Sequence, residues 1–122
     1  TVINALADKG YTPDVFFEGD YNSRLEYLAQ LPKGKAIARF DQIDMARAKE
    51  ILGKTVCITG NMPVSILQVG TVDDVKKKCK ELIDAAGKDG GYILAPASAL
   101  DEVNPENLKA MIEFTKEYGK YR

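Results

Sequence analysis

Histidine is absent from the 122 residues, and tryptophan with it. The first absence removes the Ser-His and Cys-His pairs that activate many protein nucleophiles. It also removes the usual zinc site, because two cysteines cannot fill four ligand positions. Acid–base chemistry would fall to Asp, Glu, Lys, Tyr or Arg. Cys57 and Cys79 form no Cys-x-x-Cys pair. A reduced, cytoplasmic setting is therefore expected, and a disulfide scaffold is not. No apolar run approaches the ~20 residues of a membrane span, and no secretory leader is visible. The sequence opens on Thr1 instead of Met, which reads as a chain cut from a longer one. Seventeen basic and 18 acidic residues leave a net charge of −1. That balance supplies no long-range field to recruit nucleic acid or an anionic membrane, and neither partner is expected.

What is present is a repeat. Four apolar runs, "VFF", "AIARF", "VCIT" and "YILA", each end on small or polar residues. Helical patterns lie between them. "TVINALADKG" reads as a helix stopped by Gly10, and "YNSRLEYLAQL" as a helix capped by Asn22 or Ser23. "DQIDMARAKEILG" has Asp44 as cap and Gly53 as terminator. "VDDVKKKCKELIDAAG" carries an apolar stripe of Val72, Val75, Cys79, Leu82 and Ile83. Thr71 caps it, Asp73 and Asp74 sit in its first turn, and Gly87 ends it. "NPENLKAMIEFTKEY" has Asn104 as cap and Pro105 at the first helical position. The order is (α)βαβαβαβα over residues 1–122, with no linker or composition break, so a single domain is expected. Strands alternating with helices predict a parallel sheet covered by helices. All four strand C-termini then share one rim, where α/β proteins place their ligands.

The rim candidates are Glu18, Gly19, Asp20, Arg39, Asp41, Gly60, Asn61 and Ser98. Glu18, Asp20 and Asp41 are the candidate acid–base groups; Gly19, Arg39, Asn61 and Ser98 are candidate substrate contacts. Each has an ordinary structural alternative. Asp20 and Asp41 equally suit turn starts or helix caps, and Gly60-Asn61 is a turn-prone pair. Arg39 is expected on the opposite face of its strand from Asp41. "EGD" offers hard oxygen ligands of the kind Mg²⁺ takes. "GKDGGY" precedes a strand instead of following one, so it lacks the helix N-terminus of a phosphate loop and reads as a plain loop. "KKKCK" reads as a solvated helix face with Cys79 turned inward.

In order and spacing these segments resemble the C-terminal part of the uroporphyrinogen decarboxylase superfamily. The markers are a strand ending in Gly19-Asp20, "FDQIDMARAKEILG", "GKTVCITGNMP", "GTVDDVKKKCKELIDAAG" and "GGYILAPASAL…NPENLKAM". The resemblance implies a parallel (β/α)4 half of a TIM (β/α)8 barrel, which in full runs to about 250 residues or more. It implies a missing N-terminal half that holds the decarboxylase's main acid–base and substrate-anchoring residues. The family's decarboxylases shorten the acetate side chains of a tetrapyrrole without a cofactor. Its cobamide-dependent methyltransferases use zinc to activate a thiol. Where the methyltransferases have a His-x-Cys pair, this sequence has Phe16 and Glu18. Their third ligand, a Cys where the decarboxylases have a His, falls at Ser98.

The expected function is thus the C-terminal part of a decarboxylase-like enzyme acting on a tetrapyrrole or corrinoid-linked substrate, inactive by itself and needing no cofactor. The rivals are a corrinoid-dependent methyltransferase with an altered zinc site, and a tetrapyrrole-binding module without catalysis. A half-barrel leaves an apolar sheet face bare. Either a second copy covers it as a homodimer, or the helices rewrap around both faces as in flavodoxin-like folds.

Overall fold

A computed structural model describes residues 1–121. Helix α1 spans Val2–Asp8 and strand β1 Asp14–Asp20. A 3-10 turn, Asn22–Arg24, leads into the short helix α2, Leu25–Leu28. Then come β2 (Ile37–Gln42), α3 (Met45–Leu52), β3 (Cys57–Met62), α4 (Val64–Val69), α5 (Val72–Ala86), β4 (Tyr92–Pro96) and α6 (Pro105–Tyr118). The four strands form one sheet in the order β1-β2-β3-β4, and every neighbouring pair is parallel. Each strand is thus followed in space by the next strand in the chain. This is the order of a partial barrel, and it overturns the flavodoxin-like alternative, whose strand order reverses at a switch point.

The pleat sorts the side chains into rows. Val15, Ala38, Ile58 and Tyr92 stand in register; beyond them Phe17 pairs with Phe40, and Gly60 with Leu94. These rows face the helices: Ala38, Phe40 and Ile58 are buried together with Leu25, Ala48, Leu52, Leu67, Val75, Cys79 and Leu82. Each large side chain so buried contributes on the order of 1.5–3 kcal/mol. The intervening row, Phe16, Arg39, Thr59 and Ile93, lies on the other face. Phe16 is 42% exposed and Ile93 49%. Helices therefore cover one face only. The bare face is not purely apolar, contrary to expectation, since Arg39 crosses it to meet Asp14 at 2.6 Å.

Most helix boundaries follow local chemistry. Asp44 accepts from the Arg47 amide at the start of α3. Thr71 and Asp74 form a reciprocal capping box on α5, which leaves the first-turn amides satisfied. Asn104 caps α6 with Pro105 behind it. Two expectations fail. Neither Asn22 nor Ser23 caps an α-helix, because the chain turns through a 3-10 segment in which the Asp20 carboxylate takes the Asn22 amide. Helix α4 is also unanticipated, and an equally unanticipated residue holds it. Buried Asn107 of α6 donates to the carbonyls of Ile66, Leu67 and Gly70 at the carboxyl end of α4, the first two of which also accept from the Gly70 and Asn104 amides.

Candidate functional site

Strand β1 does not stop at Phe17. It continues through Glu18, Gly19 and Asp20. Phe17 pairs with Phe40 and Asp20 with Gln42, so Glu18 and Gly19 together stand opposite the single residue Asp41. The extra residue is a β-bulge, and Gly19 supplies the positive φ of 87° that it requires. Below the bulge the Phe17 ring stacks on Phe40 and tilts against Tyr21, with centroids 5.6 and 5.1 Å away. That packing fixes the strand end from the helix side.

The bulge turns the Gly19 amide toward β2, where it donates to Asp41 Oδ2 at 3.3 Å. The Asp41 carboxylate is half-buried and thereby held at the strand end. Asn61, at the end of β3, donates through Nδ2 to the carbonyls of Asp41 at 2.9 Å and Ile43 at 3.0 Å. Gly60 before it has φ 128°, and a Cβ there would lie 2.5 Å from the Phe40 carbonyl oxygen. From β4, the Tyr92 hydroxyl donates to the Gly60 carbonyl at 2.5 Å. Burial pushes the Tyr92 hydroxyl well above the usual tyrosine range, so it stays a donor at ordinary pH. The ends of β1, β2 and β3 are in this way tied around Asp41, and Tyr92, the first residue of β4, bonds back to β3 at Gly60.

The structure brings Glu18, Gly19, Asp41 and Asn61 to one rim, with Glu18 exposed. Asp20 lies at the same rim, but its Oδ1 accepts from both the backbone and side-chain nitrogens of Asn22 at 2.9 Å. Asn22 in turn accepts from the Asp44 amide. Asp20 therefore organises the turn that leads toward α3. Ser98 follows the end of β4 and is exposed. Arg39 stands apart from the rim, in mid-strand, with its guanidinium turned to Asp14 at the opposite end of the sheet. The expectation that Arg39 and Asp41 occupy opposite faces is also corrected: residues two apart in a strand share a face. Sequence reasoning gave Asn22 only as a helix cap, and it missed Tyr92 and Asp14. Only the last had a signal, the alternation that puts Asp14, Phe16, Arg39 and Asp41 on one side. Among the described residues no three of His, Cys, Asp or Glu converge as a metal-ligand set. The "GKDGGY" segment is a turn with positive φ at Asp89, Gly90 and Gly91, as a loop reading requires.

Against known proteins, the profile of the family described as uroporphyrinogen decarboxylase (URO-D) matches residues 1–118. The chain belongs to the uroporphyrinogen decarboxylase family. It is 33% identical over 109 residues to the uroporphyrinogen decarboxylase of Chlorobium phaeovibrioides, covering 86% of this chain and 30% of that one. It is 32% identical over 121 residues to that of Chlorobium luteolum, covering 93% and 34%. The chain thus spans about a third of the length of the curated relatives it matches. Among solved structures, a methyltransferase from Methanosarcina mazei superposes with a TM-score of 0.58 at 17% identity, over 97% of this chain and 45% of that one. At that identity the likeness is one of fold, and it agrees with a half-barrel of the decarboxylase family. Among the described residues no helix is long and apolar enough to cross a membrane.

Proposed function

We propose that the chain is the C-terminal part of a cytoplasmic uroporphyrinogen-decarboxylase-like enzyme that acts on a tetrapyrrole or corrinoid-linked substrate, and that the segment by itself does not turn substrate over. One observation carries the reading. In a chain of this family, the carboxylates of Glu18 and Asp41 end neighbouring strands on one rim, with Asp41 fixed by the Gly19 amide. Ionised carboxylates are acceptors only, so they suit the pyrrole N–H donors of a reduced tetrapyrrole. Glu18 and Asp41 are the proposed catalytic residues, Asn61 holds the backbone that carries Asp41, and Ser98 contacts substrate. Arg39 would bind a substrate carboxylate only by exchanging Asp14 for it. The missing N-terminal half would complete the rim, and no cofactor is needed for this reading.

Zinc does not fit the residues present. Phe16 offers no donor atom, Ser98 is a poor ligand, and Glu18 is left as the one strong ligand of the three positions. No step is therefore routed through a metal, and the corrinoid-dependent alternative lacks a supporting observation in this chain.

Anaerobic calorimetric titration with uroporphyrinogen tests the proposal. The expected result is saturable binding that weakens at least tenfold in Glu18→Ala and in Asp41→Asn, with no product formed. Asp41→Asn keeps an acceptor for the Gly19 amide while removing the charge, so it separates binding from folding. Absence of binding, or equal binding by both variants, overturns the reading. Binding without turnover in a full-length parent as well would identify a tetrapyrrole-binding module instead of an enzyme.

A further inference from the structure

The backbone that carries Asp41 is held from two sides. Between β2 and α3 the chain passes through Asp41, Gln42, Ile43 and Asp44. On the β3 side, Asn61 donates to the Asp41 and Ile43 carbonyls. On the β1 side, the Gly19 amide donates to Asp41 Oδ2 and the Tyr21 amide to the Gln42 carbonyl at 3.4 Å. Asn22 completes that side: its Oδ1 accepts from the Asp44 amide at 2.9 Å. Gly19 and Tyr21 act through their backbones, so Asn22 is the contact that a side-chain substitution can remove.

The orientation of the Asn22 amide is fixed by its second partner. Its Nδ2 donates to Asp20 Oδ1 at 2.9 Å, and its backbone amide donates to the same oxygen. An ionised carboxylate only accepts. A flipped amide would set Oδ1 against Asp20 and its NH₂ against the Asp44 N–H, and both bonds would be lost. Asp20 thus aims the Asn22 oxygen at Asp44. Asp44 in turn caps α3 by accepting from the Arg47 amide. The other tie between these two loops, Arg47 to Glu26 at 3.3 Å, is an exposed ion pair. Such pairs contribute little, which leaves Asn22 as the side chain that holds this end of the segment.

We propose that Asn22 is a positioning residue for Asp41. It pins the far end of the Asp41–Asp44 segment while Asn61 pins the middle, so the Asp41 carboxylate meets the Gly19 amide in one place. Without Asn22 the segment pivots on the Asn61 contacts and the carboxylate leaves that place. A displacement of about 1 Å at a reacting group costs on the order of a hundredfold in rate. The consequence for substrate rests on the reading of Asp41 as a catalytic carboxylate; the two-sided hold on its backbone does not.

Nuclear magnetic resonance of the protein tests the hold without any ligand. The signals are the Asn61 side-chain NH₂ and the Asp41 carboxyl carbon, neither of which bonds to Asn22. In Asn22→Ala both should shift, and the Asn61 NH₂ protons should exchange about tenfold faster, while the amides of α5 keep their rates and report an intact fold. Asp20→Ala, one bond further back, should shift the same two signals in the same direction by less. It decides the matter if Asn22→Ala also loosens α5. Release of the Asp44 amide alone, with the Asn61 and Asp41 signals unmoved, overturns the proposal.

Calorimetric titration with uroporphyrinogen adds the functional arm. Asn22→Ala should weaken binding in the unaltered chain and weaken it no further in Asp41→Asn, because its effect passes through that carboxylate. Equal weakening in both backgrounds overturns the proposal. If the unaltered chain does not bind uroporphyrinogen, the proposed function fails, and the resonance shifts alone decide the role of Asn22.

Discussion

The side-chain amide of Asn61 bridges the backbone carbonyls of Asp41 and Ile43, at 2.9 and 3.0 Å. One NH₂ group uses both hydrogens to hold the turn where β2 leaves the sheet for α3. Replacing Asn61 with Ala leaves two part-buried carbonyls without this donor, and about 1–3 kcal/mol of stability should be lost. Asn61→Asp should be worse than Asn61→Ala at neutral pH, because it sets a third acceptor against the same two oxygens. Urea unfolding of the three proteins checks the order.

Tyr92 reaches from β4 to the Gly60 carbonyl. Tyr92→Phe removes the donor and little else, and should cost about 1 kcal/mol. Burial raises the pKa of this hydroxyl above its ordinary value. The neutral form therefore belongs to the folded state. Its stabilisation is fully present below the ordinary tyrosine pKa of about 10 and is lost as pH rises beyond it, where the unfolded chain ionises first. Absorbance titration of wild type against Tyr92→Phe should show that the missing tyrosine is a late-ionising one.

Gly60 is a position where a side chain cannot be accommodated. Its φ of 128° and the 2.5 Å approach of the Phe40 carbonyl oxygen to a would-be Cβ both oppose it. Gly60→Ala should destabilise by clearly more than about 1 kcal/mol, the scale of ordinary glycine effects. Gly19→Ala, with open space around its Cβ but φ 87°, should cost less. A stability ranking of the two variants by thermal melting decides this.

The capping box on α5 predicts a pH effect. The backbone and side-chain hydrogen bonds with Thr71 hold the Asp74 carboxyl below its ordinary pKa. Its contribution is present above the ordinary carboxylate range and is lost as pH falls through the lowered value. Asp74→Asn should flatten that part of the acid unfolding curve, and helix content followed by circular dichroism between neutral pH and strong acid measures it.

Much of this architecture can be read without coordinates, because the signals are local. Thr71, Asp44 and Asn104-Pro105 mark helix starts through side chains that act within three residues of themselves. The rim follows from parallel connectivity alone. What sequence does not carry is reach across the chain. Tyr92 looks like the first residue of a buried strand, and nothing nearby shows that its hydroxyl meets Gly60. Helix α4, at six residues, is too short for periodicity to distinguish it from a loop. The carbonyls at its end find a side-chain donor in Asn107, 37 to 41 positions away. Glu18-Gly19-Asp20 reads as a strand ending, whereas the positive φ of Gly19 lets the strand continue through a bulge.

Asn107 also bears on how the molecule comes apart. A chain of consecutive βα units resembles a stack of repeats, in which terminal units can fray independently. Here α6 holds the carboxyl end of α4 through a buried amide, so melting the last helix strips the third unit of its helix terminator as well. Unfolding from the C-terminus is therefore coupled to the middle of the sheet, and the second half of the chain should open as one cooperative block.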